Sequence, residues 1–63
     1  METGEFIKKL RDAKGWTQQD LAEKASVTVT TVSRIENGSN PSRPILKCLA
    51  DALGVKPELL KGE

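Results

Sequence analysis

Histidine is absent from these 63 residues and cysteine occurs once. The missing histidine removes His-containing zinc sites and any Ser-His-Asp arrangement. A single cysteine, Cys48, can neither close an internal disulfide nor build a Cys-rich metal site. No apolar run approaches the roughly 20 residues that a membrane span needs. No basic-then-apolar leader opens the chain. Taken with the lone cysteine, these features make the cytoplasm the expected location and a membrane partner unexpected. No glycine-rich phosphate loop is present either, which leaves little from which to build an enzyme. Asp20 and Glu23 are near neighbours on a helix, but such a carboxylate pair reads as surface. No metal or cofactor is expected, and no small-molecule ligand is evident. Charge of one sign is also lacking: ten basic and nine acidic residues leave a net charge of +1.

The length predicts one domain, residues 1–63, with a modest core and marginal stability on its own. The distribution of charge says more than its total. Residues 1–23 carry a net −1 and residues 48–63 a net −1, whereas residues 24–47 carry +3, with Lys24, Arg34, Arg43 and Lys47 against Glu36 alone. A positive segment of this kind suits a phosphate backbone, although chance clustering in a short chain gives the same pattern.

The periodicity predicts helices throughout. Helix 1 is expected from about Thr3 to Lys14, with Thr3 as N-cap, Glu5 in the first turn, and Phe6, Leu10 and Ala13 in one stripe beside Ile7. Gly15 suits the left-handed residue after its end. Trp16, the only tryptophan, is expected to lie as a lid between helix 1 and helix 5 or helix 2. Thr17 and Asp20 have the spacing of a capping box at the start of helix 2, which should end near Lys24 or Ala25. Thr28 caps helix 3, which runs to Asn37 and stops at Gly38. Residues 39–44, SNPSRP, read as a loop, with Ser42 capping helix 4 and Pro44 tolerated in its first turn. Ile45, Leu46, Leu49, Ala50 and Leu53 give helix 4 a broad apolar face that Gly54 ends. Pro57 opens a short helix 5 with Leu59 and Leu60. The alternation of Val27 to Val32 also fits a strand, but its caps and flanking helices argue for helix.

Residues 16–38, WTQQDLAEKASVTVTTVSRIENG, carry the function. Leu21 and Ala25 share one face of helix 2, and Val32 and Ile35 share one face of helix 3. Ala22 lets the two axes approach closely, and Val27 plugs the corner between them. This is the layout of a DNA-reading helix-turn-helix. The face left outside on helix 3 holds Thr28, Val29, Thr30, Ser33 and Arg34, groups that suit base edges in a major groove.

The run resembles the helix-turn-helix of the lambda-repressor-like family (Cro/C1 type, also called XRE). The likeness covers nearly the whole chain: Ile7, Leu10 and Arg11, then Gln18, Leu21 and Ala22, then Val32, Ile35, Glu36, Asn37 and Gly38, and finally LADALGV from Leu49 to Val55. It implies an all-α, five-helix DNA-binding domain. It further implies a sequence-specific transcriptional regulator of repressor type, working on double-stranded DNA as a homodimer over near-palindromic half-sites about 10 bp apart. A protein-binding module of the same fold, as in some antitoxins, is the alternative.

The resemblance also assigns residues. Arg11 and Glu36 are expected to pair and to pin helix 1 to the end of helix 3, or else to be two solvated charges. Gln18, at the N-terminus of helix 2, is a phosphate contact or an ordinary exposed glutamine. Val29, Thr30, Ser33 and Arg34 form the base-reading set. Val29 can only pack against a thymine methyl or a sugar, and related repressors that read adenine from this position carry glutamine there. Arg34 either makes a bidentate contact to guanine or holds a phosphate. Thr28 either bonds phosphate or only caps its helix. Asn37, Ser39, Asn40 and Arg43 are the phosphate edge after helix 3, or a solvated loop. Pro57, Leu59 and Leu60 are the expected dimer surface, small enough at this length that dimerisation only on DNA is left open. One position departs from the family pattern: Ser26 stands where the turn usually has glycine, and is strained there if its φ is positive.

Overall fold

The computed structural model describes residues 3–60. Local capping chemistry fixes most of the helix ends. The helices are α1 (Thr3–Ala13), α2 (Gln18–Ala25), α3 (Val29–Glu36), α4 (Arg43–Leu53) and α5 (Pro57–Leu60). At the head of α2 the Thr17 hydroxyl accepts the Asp20 amide and the Asp20 carboxylate accepts the Thr17 amide, each at 3.0 Å. These two bonds satisfy one donor each at an end that otherwise leaves its amides unpaired. Thr28 caps α3 in the same way, its hydroxyl accepting the Thr31 amide at 3.1 Å. Ser42 occupies the N-cap of α4 without a side-chain hydrogen bond, and proline follows in the first turn. The strand reading of the Val27–Val32 alternation does not hold, because the Thr28 cap starts a helix one residue later.

The α2–α3 turn requires a left-handed residue, and Ser26 supplies it at φ 60° while donating its backbone N–H to the carbonyls of Ala22 and Glu23. It is the one non-glycine residue with positive φ among the described residues. The turn holds α2 against α3 so that Leu21, Ala22, Ala25, Val32 and Ile35 share one core with Ile7, Leu49, Ala50, Leu53 and Leu60. Packing links α1 to α3 and α5, α2 to α3 and α4, and α4 to α5.

Helix α1 differs in detail from its sequence pattern. It ends at Ala13, and its inward face is Thr3, Gly4, Ile7 and Arg11 rather than a Phe6–Leu10–Ala13 stripe. The cause is a close backbone approach. A Cβ on Gly4 would run into the carbonyl oxygen of Ile35, so glycine lets α1 lie on the last turn of α3 and turns Ile7 fully inward. Phe6 and Leu10 pack at the margin of the core, and Ala13 is exposed. The Thr3 hydroxyl does not cap α1. It is buried and donates to the carbonyl of Leu60 at 2.6 Å.

For Trp16 the structure selects the helix 2 alternative of its expected position. Its half-buried ring carries the ammonium groups of Lys14 and Lys24 at 5.3 and 5.0 Å from the ring centre. It therefore bridges the ends of α1 and α2 and packs at the margin of the core. Cation–π attraction and the apolar stems of the two lysines both favour this placement.

Candidate nucleic-acid interface

Helix α3 is two-faced. Val32 and Ile35 are buried, while Val29, Thr30 and Arg34 are exposed and Ser33 is half-buried. With the inward positions three apart, the positions i, i+1, i+4 and i+5 counted from Val29 fall together on the outer side. The structure thus brings Val29, Thr30, Ser33 and Arg34 onto one solvent-facing strip. Arg34 has no ion-pair partner among the described residues. Thr28 stands at the head of the strip, and its hydroxyl is engaged: besides accepting the Thr31 amide it lies 2.8 Å from the Thr31 hydroxyl.

Behind the strip sits a polar hub centred on Glu36, the last residue of α3. Its carboxylate accepts Arg11 Nε at 2.8 Å, Arg11 Nη2 at 3.1 Å and Gln18 Nε2 at 3.0 Å. Arg11 also donates Nη1 to the Trp16 carbonyl at 2.7 Å and lies 3.3 Å from the exposed carboxylate of Asp12. One side chain from α3 therefore ties down α1 and the first residue of α2, and Arg11 in turn holds the α1–α2 turn. The Arg11 and Glu36 side chains retain only 10% and 4% of their exposure, so the pair is largely withdrawn from solvent. Burial is the largest single influence on Glu36 and opposes its charge. Hydrogen bonds from Arg11 and Gln18, with the charges of Arg11 and Lys8, outweigh it and hold the carboxyl below the usual carboxylate range. For Arg11 the hydrogen bond to Glu36 dominates and pushes the guanidinium pKa up.

Gln18 is half-buried and already donates to Glu36, which leaves one side-chain N–H to offer at the α2 N-terminus. Asn37 is exposed and serves as C-cap of α3, with a long 3.5 Å contact from its amide to Ser33. Ser39 and Asn40 are exposed in the α3–α4 loop. Arg43 is the first residue of α4 rather than part of that loop. It lines a groove with Leu46, Lys47, Pro57 and Glu58, which places it beside α5 as well as after the loop.

The three residues expected at a dimer surface separate. Leu59 is 57% exposed and Pro57 is half-buried at the groove, but Leu60 is fully buried in the core. Leu60 is therefore withdrawn from that surface. In a single helical turn neighbouring side chains point about 100° apart, so a Leu60 locked inward forces Leu59 outward. Thr31 and the Trp16 carbonyl were not singled out in the sequence. A hydroxyl three residues after an N-cap threonine is a usable signal for the first, whereas no local signal marks the second.

Comparison with known proteins agrees with this geometry. The helix-turn-helix family matches residues 7–60. An HTH-type transcriptional activator, BcrR of Enterococcus faecalis, is 40% identical over 65 residues, covering 100% of this chain and 32% of its own. A competence pilus inhibition repressor of Acinetobacter baylyi is 40% identical over 53 residues, covering 82% of this chain and 48% of its own. The chain thus spans about a third to a half of the length of these relatives. Among solved structures, that of the biofilm regulator SinR in complex with DNA superposes with a TM-score of 0.86 at 37% identity, over 92% of this chain and 95% of that one.

Proposed function

This chain belongs to the helix-turn-helix family, of lambda-repressor-like type, and from that premise we propose that it is a sequence-specific double-stranded-DNA-binding transcriptional regulator, acting as a repressor. The observation that carries the reading is the outer strip of α3. Val29, Thr30, Ser33 and Arg34 face solvent together on a helix whose other side is locked into the core. A helix of eight residues is about 12 Å long, enough to run past three or four base pairs in a major groove. Val29, Thr30, Ser33 and Arg34 read bases. Gln18, Thr28, Asn37, Ser39, Asn40 and Arg43 hold phosphates and set the register. The Arg11–Glu36 pair keeps α1, α2 and α3 in one rigid frame, so that the Gln18 amide and the α3 strip meet the duplex together.

The regulator acts as a homodimer on a near-palindromic operator. Leu59 and Pro57 lie at the contact, and Arg43 and Lys47 stand across the same groove from Glu58. Residues 1–63 form a single domain acting in the cytoplasm, as a binding protein and not as an enzyme. Among the described residues no helix is long and apolar enough to cross a membrane.

Selection of bound duplexes from a random library at near-physiological salt tests this. An enriched inverted repeat, with binding that weakens steeply as salt rises through counterion release, is the expected result. A folded protein that enriches no duplex, and whose partner binding is insensitive to salt, would transfer the assignment to the protein-binding alternative.

A further inference from the structure

We propose that the first turn of α3 reads the C5-methyl group of a pyrimidine, so that thymine and 5-methylcytosine are recognised alike; this rests on the placement of α3 in the major groove. Val29, the first residue of α3, is 39% exposed, and it and Leu59 are the two exposed large apolar side chains among the described residues. The fold does not use it, because Val32 and Ile35 fill the inward positions of α3. A valine on a solvent-facing strip can offer only dispersion contact and burial of apolar surface.

Two of the three hydroxyls beside it, those of Thr28 and Thr31, are engaged with each other, and the third, that of Thr30, has no hydrogen-bond partner among the described residues. The Thr28 hydroxyl accepts the Thr31 amide and pairs with the Thr31 hydroxyl, so one internal chain of bonds engages both side chains. Thr30 is exposed and adds a second methyl next to Val29. The first turn carries no acidic residue, and Arg34 is the basic residue of the last turn. This end of the helix therefore presents the methyl groups of Val29 and Thr30, with the Thr30 hydroxyl beside them, where a purine-reading helix presents amides or guanidinium groups.

In the major groove thymine is the one standard base with an apolar handle, its C5-methyl. Methylation of cytosine at C5 puts the same group on the same ring carbon. The two bases differ in their hydrogen-bonding group at C4, an acceptor in thymine and a donor in cytosine. An apolar surface is blind to that difference and sensitive to the methyl. Arg34 lies five residues further along, about 7.5 Å of helix. Its contact therefore falls roughly two base pairs from the methyl.

The test starts from a duplex enriched by selection. Each pyrimidine of the half-site is varied symmetrically in both halves, through two pairs that differ only in the methyl: thymine against uracil opposite adenine, and 5-methylcytosine against cytosine opposite guanine. Kd is measured for the native chain and for Val29→Ala. At one position, removing the methyl should weaken binding about fourfold per half-site, the effect of burying one methyl-sized group, and so about fifteenfold for the operator. The factor should be equal in the two pairs. Val29→Ala should bring both factors close to one while leaving the melting temperature unchanged. A methyl effect in the thymine pair alone would mean that the whole base is read, and would overturn the proposal. So would the absence of a methyl effect at every position, or its survival in Val29→Ala. Failure of the selection to enrich any duplex would overturn the groove placement itself, and this inference with it. The outcomes stay distinct because the methyl comparison begins only from an enriched site.

Discussion

Replacing Glu36 by alanine should cost about 3 kcal/mol or more of folding stability, the usual result of stripping a buried charge of its partner. The structure sets where in the range this falls. Glu36 accepts three hydrogen bonds, two from Arg11 and one from Gln18. Its loss leaves the Arg11 guanidinium at 10% exposure with the Trp16 carbonyl and the exposed Asp12 carboxylate as remaining partners. A pair with an exposed carboxylate returns little, so the charge stays poorly compensated. Arg11→Met should be comparably costly, because it abandons Glu36 at 4% exposure with one amide donor and frees the Trp16 carbonyl. A chain of this length has on the order of 3–9 kcal/mol to lose, so each single variant should be partly unfolded at 37 °C. The double variant Arg11→Met/Glu36→Leu should recover much of the loss, since apolar side chains of similar volume carry no desolvation penalty. Urea titrations followed by far-UV circular dichroism, at 10 °C if necessary, supply the four free energies of the cycle. Two single costs below about 1 kcal/mol that simply add in the double variant would refute a buried, coupled pair.

The Glu36 carboxyl is held below its ordinary value of 4.5, so its contribution is complete above that pH and is lost as the pH falls through its lower folded value; urea titrations between pH 6 and 2 should show a shallower acid loss in Glu36→Gln than in the native chain. Ser26 is the non-glycine residue at positive φ in the α2–α3 turn, and Ser26→Gly should relieve about 1 kcal/mol of strain and raise the melting temperature by about 4–8 °C; a lower melting temperature would mean that the serine side chain supports the turn. Leu59→Lys removes a side chain that is 57% exposed, so the melting temperature should hold within about 2 °C, while binding to a two-half-site operator, measured by anisotropy, should become weaker and less cooperative.

Caps and turns were legible in the sequence because their chemistry is local. Thr17 with Asp20, Thr28, Gly54 and Pro57 act within a few residues of themselves, and each stands at the helix end that its type implies. The inward positions of α2 and α3 followed from periodicity for the same reason. What spacing could not give was any choice decided across the fold. The choice of α2 over α5 for Trp16, the partner of the Thr3 hydroxyl and the burial of Leu60 beside an exposed Leu59 all depend on how the helices pack together. Arg11 and Glu36 were paired through family resemblance, since 25 residues separate them and nothing local connects them. That Gln18 joins the same carboxylate was visible only in three dimensions, because a glutamine at a helix start reads equally well as surface.

The Thr3–Leu60 hydrogen bond joins residues 57 positions apart, and so closes a loop that takes in almost the whole 63-residue chain. Loop-closure entropy favours making such a contact late and breaking it early. A four-residue helix has no independent stability, so α5 persists only while this clasp and the burial of Leu60 hold it. The amides of α5 should then exchange with solvent through a partial opening that leaves the α2–α3 unit intact. Leu59 is presented outward only when the clasp is shut. The surface through which two copies would meet is thus a property of the completed fold, and a partly opened molecule could still offer α3 to DNA but not α5 to a partner.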